Sequence, residues 1–212
     1  MRSGIGVTSN QSDTGDGVEA VIHPLQEFAD SVAAAVGGTA EIVFDTIKVK
    51  IAADSWVDAH TTARDDLDLV FFSWLSAIEW ANEVAGGYPL SAEVEERIEL
   101  LTTVGDLNEG RRITFSTDLP TESPSIPSLV NVYAGANWHE REAHEMFGIH
   151  FEGHPNLTHL YLPEGFAGNP LRKSFPLLSR EVKPWPGTVD VEAMPGQGRS
   201  ESDEPTTENP ES

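Results

Sequence analysis

Histidines are concentrated in one short part of this sequence, where they could bind a metal ion. Five of the seven lie between His139 and His159. His139 and Glu140 begin like the zinc-protease motif HExxH, but the next histidine, His144, follows five positions later, about 140° further around a helix. Two imidazoles at that spacing do not share a helix face. The metal alternative that stays open is a hydrolase in which Glu140 and His144 meet His154 from the following turn.

The same region has the pattern of a short helix. Asn137 and Glu140 have the spacing of a capping box, and Gly148 is a typical residue for a helix end. The pattern therefore predicts a helix over residues 138–147.

Charged side chains crowd this predicted helix. Glu140, Glu142 and Glu145 lie close together, and Arg141 precedes Glu145 by four positions. An exposed Arg141–Glu145 pair would stabilise the helix by only about 0.3–0.5 kcal/mol. The apolar stripe of the helix is thin, which favours contact with a second polar surface over closure of a core. A general-base role would require a pocket around one of these carboxylates.

A proline-rich segment follows the helix. Six prolines between residues 155 and 186 exclude a long helix or a central strand, although the segment is rich in leucine and aromatic residues. We interpret it as an extended arm on a partner's surface, with an arm that wraps its own domain as the alternative. Pro170 and Pro176 predict extended backbone between them. Arg172 and Lys173 would then project to opposite sides, towards a partner's carboxylates and carbonyls or towards acids of this chain.

The first half of the chain predicts the scaffold that would position these groups. Helices are predicted over residues 21–36, from Asp54 or Ser55 as the cap to Arg64, and from Ser91 onwards. Strands are predicted over 41–53, over 67–75 as a central or covered strand, and in a hairpin over 98–117. The expected fold class is α+β: a small mixed sheet covered by helices, followed by a short charged helix and an extended proline-rich C-terminal arm.

Composition argues against several classes of protein. The 212 residues carry a formal net charge of −22, which opposes binding to nucleic acid or to anionic lipid. The sequence contains no cysteine and can supply no thiolate ligand for zinc or an iron–sulfur cluster. Its most apolar stretch, residues 67–78, is shorter than the roughly 20 residues of a membrane-spanning helix.

The expected organisation has four parts. Residues 1–19 and 194–212 are predicted as disordered tails, the second of them acidic, because they lack the apolar residues of a core. Residues 20–135 are predicted as the α+β scaffold domain, and residues 136–193 as the charged helix with the partner-binding arm.

Two motifs in fixed order resemble the C subunit of bacterial respiratory complex I, the proton-translocating NADH:quinone oxidoreductase. The residues that carry the resemblance are Glu140, Arg141, Glu142, Met146, Phe147, Gly148, Gly153, His154 and Pro155 in the first motif, and Pro170, Leu171, Arg172, Lys173 and Pro176 in the second. Residues 56–64 and 72–80 also resemble a helix and the central strand of that family.

Three positions depart from the family pattern. His144 stands where the family usually has an aromatic residue, and Glu145 and Ser174 stand where it usually has Asp. These departures indicate a divergent, actinobacterial-like or second copy of the protein.

The resemblance implies a peripheral, non-catalytic component of the complex on the cytoplasmic side of the cell membrane. Such a chain packs on the quinone-site D subunit and near the iron–sulfur B subunit, and it reaches the membrane only through the complex. FMN, iron–sulfur clusters and quinone would be held by other subunits, so this chain would bind no cofactor. The charged motif residues would form interface ion pairs. The alternative is a homologous component of a membrane-bound hydrogenase or of a dehydrogenase with another electron donor.

Overall fold

A five-stranded mixed sheet forms the centre of the molecule. The computed structural model describes residues 23–85 and 91–176. The strands are β1 (Thr39–Val43), β2 (Thr46–Lys50), β3 (Phe71–Trp80), β4 (Arg97–Gly105) and β5 (Arg112–Leu119), in the spatial order β1-β2-β5-β4-β3. The β2–β5 pair is parallel and the other neighbours are antiparallel.

Three α-helices, a short 3₁₀ helix (Ala53–Ser55) and a second, small sheet complete the described structure. The α-helices are α1 (Gln26–Val36), α2 (Trp56–Asp65) and α3 (Ala136–Phe147). Two short strands, β6 (Ser125–Pro127) and β7 (His150–Glu152), pair in parallel on either side of α3 in the chain. The predicted α+β class, with a small mixed sheet and few helices, is confirmed. None of the helices in the described ranges is long and apolar enough to span a membrane.

The core lies between one face of the sheet and the helices. Ile47, Ile113 and Val104 are paired side by side across β2, β5 and β4, and all three are buried. The buried residues of α1 and α2 join the same cluster, and so do Ala143 of α3 and Phe151 of β7. Residues on both sides of the predicted boundary between residues 135 and 136 therefore share one core.

The predicted strand over residues 41–53 is in fact a hairpin, a correction to the sequence analysis. Ile47 and Val49 are buried between exposed or half-buried lysines, as the alternation requires. The chain reverses at Phe44 and Asp45, whose φ angles are 49° and 59°. Two consecutive positive φ angles are the geometry of a type I′ hairpin turn, which usually contains Asn or Gly. Phe-Asp lacks that composition, and the turn went undetected.

The strand predicted over residues 67–75 as central or covered lies at the edge of the sheet, so its central alternative is wrong. It runs over Phe71–Trp80, later than the predicted 67–75, and it pairs with β4 along one side. Its apolar residues are only partly covered: Leu75 and Ala77 are buried, whereas Phe71 and Ile78 are exposed. Phe72 lies against the start of α3, where a Cβ at Gly135 would be 3.2 Å from its ring. A covered face, rather than two neighbouring strands, accounts for the buried members.

The predicted helix from Ser91 is wrong, because residues 91–96 form no helix. Instead Val94 is held beside the end of β3 by the Asn82 side chain. The Val94 N–H donates to Asn82 Oδ1 at 2.8 Å, and Asn82 Nδ2 donates to the Val94 carbonyl at 3.0 Å. These two bonds imitate a strand ladder and hold the backbone extended. The hairpin predicted over 98–117 is confirmed as β4 and β5.

Other predictions concern helix ends and tails. Helix α2 begins at Trp56, as expected, but the Ser55 side chain makes no capping hydrogen bond. Helix α1 ends at Val36, as predicted from the glycines that follow it. The predicted tails 1–19 and 194–212 lie outside the described residues, as do residues 177–193.

Candidate functional site

Glu145 of α3 holds the segment that follows β7, here called the arm (residues 155–176). Its carboxylate accepts the backbone N–H groups of Leu160, Tyr161 and Leu162, with the Leu160 nitrogen 2.7 Å from Oε2. Burial alone would raise the pKa of the Glu145 carboxyl, but the three backbone donors outweigh it and lower the pKa below its ordinary value. Glu145 is therefore an ionised anchor for the arm.

Arg141, one helical turn earlier, holds the arm at an adjacent point. Its Nε donates to the Thr158 carbonyl at 2.9 Å, and its Nη2 donates to the His159 carbonyl at 2.9 Å. The intrahelical Arg141–Glu145 pair considered from the sequence is not formed, because both side chains are bonded to arm backbone. The second polar surface that the thin apolar stripe predicted is thus the chain's own arm.

Arg172 of the arm lies where three parts of the fold meet. Its guanidinium donates from Nε to Glu79 Oε1 at 3.0 Å, from Nη1 to the Phe147 carbonyl at 3.0 Å, and from Nη2 to the Thr121 carbonyl at 2.5 Å. Phe147 is the last residue of α3, so the cation also faces the negative end of that helix. Of the two alternatives for Arg172, pairing with this chain's own acids is the one that the structure contains.

The backbone around Arg172 and Lys173 forms turns, which corrects the predicted extended conformation. The Arg172 N–H donates to the Asn169 carbonyl at 3.0 Å, and the Phe175 N–H donates to the Arg172 carbonyl at 3.0 Å. Pro170 is the second residue of the first turn, a position that the fixed φ of proline favours. The Lys173 side chain is exposed, while its backbone N–H donates to Glu79 Oε2.

Gly148 allows the arm to approach the end of α3. Its φ is 76°, and a Cβ at this position would lie 2.8 Å from Asn169 Oδ1. Asn169 Nδ2 donates to the Glu145 carbonyl at 2.9 Å, and the Leu171 N–H donates to the Met146 carbonyl at 3.1 Å. The predicted helix end is confirmed, and the arm occupies the carbonyls that the helix leaves free.

Glu140 faces the core, which corrects its predicted roles as capping residue and interface ion pair. It is fully buried, and it accepts the Ser128 hydroxyl at 2.6 Å and the Leu129 N–H at 2.6 Å. Burial raises the pKa of Glu140 to about 7, against the lowering effect of these two donors. Asn137 makes no capping bond, since α3 begins at Ala136 after Gly135. Glu140 instead ties α3 to the loop before it.

His154 sits beside Glu140 with both ring nitrogens occupied. Nε2 lies 3.1 Å from the Asn137 carbonyl, and the Asn156 N–H donates to Nδ1 at 3.0 Å. These partners assign the neutral tautomer with the proton on Nε2. Burial lowers the pKa of His154, in keeping with a neutral ring. Gly153 before it has a φ of 78° and makes the turn from β7 into the arm.

The proposed metal ligands do not converge. His144 Nδ1 is 2.7 Å from the Ile149 carbonyl, and His154 Nε2 is 4.0 Å from Glu140 Oε2. Within residues 23–85 and 91–176, no group of three or more His, Asp or Glu side chains has an arrangement that could hold a metal ion. The hydrolase alternative therefore has no supporting geometry in this part of the chain.

The remaining motif residues divide between the core and the surface. Phe147 is buried and Met146 packs against the core, while Leu171 is 51% exposed. Pro155 and Pro176 are exposed and Glu142 is half-buried.

Sequence reasoning did not identify Glu79 or His60. Glu79 is the last residue but one of the apolar strand β3 and is 5% exposed, and a lone acid in such a strand was the available signal. His60 is fully buried on α2, between the rings of Trp56 and Phe115. Its Nδ1 donates to the Trp56 carbonyl at 2.7 Å and its Nε2 accepts the Thr102 hydroxyl at 2.6 Å.

Residues 49–181 match the family model described as the 30 kDa subunit of the respiratory-chain NADH dehydrogenase. That match covers β3, β4 and β5 of the central sheet, the helices α2 and α3, the small β6–β7 sheet and the arm, whereas β1 and most of β2 precede it. The chain belongs to this family.

Relatives named as the C subunit of NADH-quinone oxidoreductase agree with this assignment. The Methylobacterium sp. (strain 4-46) protein is 33% identical over 179 residues, which are 82% of this chain and 74% of the relative. The Rhodobacter capsulatus protein is 36% identical over 157 residues, 72% of this chain and 73% of the relative. The chain is thus a C subunit, or 30 kDa subunit, of complex I, an oxidoreductase assembly, and the resemblance seen in the two motifs is confirmed.

A solved structure shares the fold. Nqo5, as a trypsin-resistant fragment of residues 1–134, superposes with a TM-score of 0.51 at 22% identity, over 63% of this chain and 98% of the fragment. At this identity the likeness concerns the fold alone.

Proposed function

We propose that this 30 kDa subunit is a structural member of the peripheral domain of complex I. It packs on the quinone-site D subunit and near the iron–sulfur B subunit, on the cytoplasmic side of the membrane. It carries no catalytic residue and binds no cofactor; FMN, the iron–sulfur clusters and quinone belong to other subunits. Electron transfer and proton translocation are then properties of the assembly.

The observation that carries this proposal is that the charged side chains of the motifs are hydrogen-bonded to other parts of this chain. Arg141 and Glu145 bind arm backbone, and Arg172 binds Glu79 and two carbonyls. Groups that are already bonded to the main chain are poorly placed to bind a substrate or transfer a proton. The proline-rich arm has little regular structure of its own. These hydrogen bonds instead hold it in one conformation, so that it presents one defined surface.

That surface has the composition of a protein interface. Trp138 on α3 is 67% exposed, and Tyr161 and Leu171 on the arm are 64% and 51% exposed. Exposed aromatic residues of this size are typical of interface anchors. The lack of cysteine in the sequence supports the assignment of the iron–sulfur clusters to other subunits.

Co-purification from gently solubilised membranes of the source cell tests the proposal, with a tag at the N-terminus. We expect mass spectrometry to find the D and B subunits in the eluate, together with NADH-driven quinone reduction. A large subunit without NADH activity would instead indicate the hydrogenase or other-donor relative. Recovery of the chain without other subunits would contradict the proposal.

A further inference from the structure

A groove between α3 and the arm is open to solvent. Its lining residues are Trp138, His139, Glu142, Leu160 and Tyr161, and they enclose a volume of about 130 Å³. Trp138 and Tyr161 are 67% and 64% exposed. Two large aromatic side chains on opposite walls thus face water instead of the core. We call this feature the aromatic groove.

Glu142 places a carboxylate in the aromatic groove. It is half-buried, and no hydrogen bond or ion pair reaches it from the described residues. The other two glutamates of α3 differ, since Glu140 accepts the Ser128 hydroxyl and Glu145 accepts arm backbone. Arg141, the neighbouring cation, is engaged by the Thr158 and His159 carbonyls. A partly desolvated carboxylate in this position favours a cation from outside.

The walls of the aromatic groove are held in place. The Tyr161 N–H donates to Glu145 Oε2 at 3.1 Å and the Leu160 N–H donates to the same oxygen at 2.7 Å. Trp138 and Glu142 lie on α3, one helical turn apart, so they project from the same side of that helix. A groove whose backbone is already ordered loses less entropy when it is occupied.

We propose that the aromatic groove receives an arginine side chain from a neighbouring protein of the complex. The guanidinium would stack on the Trp138 and Tyr161 rings and pair with the Glu142 carboxylate. Arginine is preferred to lysine because its planar, weakly hydrated guanidinium can stack on aromatic faces and bond a carboxylate in the same pose. The net charge of −22 also favours a basic segment of the partner. This inference rests on the proposed function and names the chemistry of one contact.

The complex itself supports a direct test. A photo-crosslinking amino acid is placed at position 138, the assembled complex is irradiated, and the adduct is mapped by mass spectrometry. We expect an adduct within a few residues of an arginine of another protein in the complex. An adduct on residues 177–212 of this chain, on a second copy of it, or on an uncharged partner segment would overturn the proposal.

Substitutions measure the contribution of the contact. We expect Trp138→Leu and Glu142→Gln each to raise the rate at which the chain dissociates from immobilised complex by about thirty-fold, the loss typical of an interface anchor. Matched controls are Phe44→Leu at the β1–β2 turn and Glu164→Gln on the arm, both exposed, which we expect to leave the rate unchanged.

The two hypotheses fail differently. If wild type and all variants dissociate equally slowly with the D and B subunits bound, the groove inference is wrong and the proposed function stands. If the wild-type chain binds neither the D subunit nor the B subunit, the proposed function itself is wrong, and the groove inference that rests on it falls with it.

Discussion

The Arg172 Nε lies 3.0 Å from Glu79 Oε1, a residue 93 positions earlier in the chain. The pair joins the arm to the far end of the edge strand β3. The Glu79 side chain is 3% exposed and that of Arg172 is 18% exposed, so water screens their attraction poorly. The same guanidinium reaches the last carbonyl of α3, which makes this pair the point where strand, helix and arm are held together.

Removing the Arg172 cation should destabilise the fold strongly. Arg172→Leu would leave the Glu79 carboxylate buried without its ion-pair partner, and we expect a loss of about 3 kcal/mol in the free energy of unfolding. Urea unfolding of the full-length chain, followed by tryptophan fluorescence, measures it. Lys173→Leu is the matched control, since that side chain is exposed, and it should change stability by less than about 0.5 kcal/mol. Equal losses in the two variants would contradict this account.

Glu140 should make stability depend on pH. Its pKa is about 7 in the folded chain against 4.5 ordinarily, so the folded state binds the proton more tightly. The resulting stabilisation is complete below about pH 4.5 and is lost as the pH rises through 7, a change of about 3 kcal/mol. Glu140→Gln imitates the protonated form. We expect wild type to lose stability relative to this variant between pH 4.5 and pH 8 in urea unfolding, and a pH-independent difference would refute the buried-carboxyl assignment.

The effect of His60 on the pH dependence of stability should be opposite in direction to that of Glu140. Burial lowers its pKa to about 4, so the neutral ring is favoured in the fold and its stabilisation is lost as the pH falls from 6.5 through 4. Because the Trp56 carbonyl can only accept, the proton must sit on Nδ1. NMR of the ring nitrogens should show this tautomer with a titration midpoint near pH 4. An Nε2–H tautomer, or a midpoint near 6.5, would exclude the Thr102–His60–Trp56 arrangement.

Gly148 should not tolerate a side chain. Gly110→Ala provides the comparison, because Gly110 has a φ of 71° and nothing within 4 Å of an added Cβ. We expect Gly110→Ala to cost about 1 kcal/mol from backbone strain alone. Gly148→Ala has the same strain, and its Cβ would also displace Asn169 and its bond to the Glu145 carbonyl. The difference between the unfolding free energies of the two variants measures the contribution of the Gly148–Asn169 contact. Equal unfolding free energies would mean that the arm does not depend on this contact.

Local patterns in the sequence predicted much of the fold. The alternation of Ile47 and Val49 with lysines predicted β2, and Gly148 predicted the end of α3. The Phe44–Asp45 turn was missed because a type I′ turn formed without Asn or Gly has no compositional signal.

Local sequence patterns could not predict contacts between residues that are far apart in the chain. Glu140 has the spacing of a capping-box residue, but tertiary packing turns it towards Ser128. Glu79 could be noticed only as an acid in an apolar strand, since its partner Arg172 is 93 residues away. The motif predicted that Arg172 would form an ion pair, and the sequence alone left open whether the partner belonged to this chain.

Assembly and turnover, measured separately, test the central claim most directly. Membranes of a strain that lacks this chain are complemented with wild type or with Arg172→Leu. Native gels quantify the assembled complex, and NADH:quinone reduction is expressed per assembled complex. A structural role predicts less assembled complex with unchanged turnover per complex. Full assembly with slowed turnover would contradict it, because the residue would then act in the reaction itself.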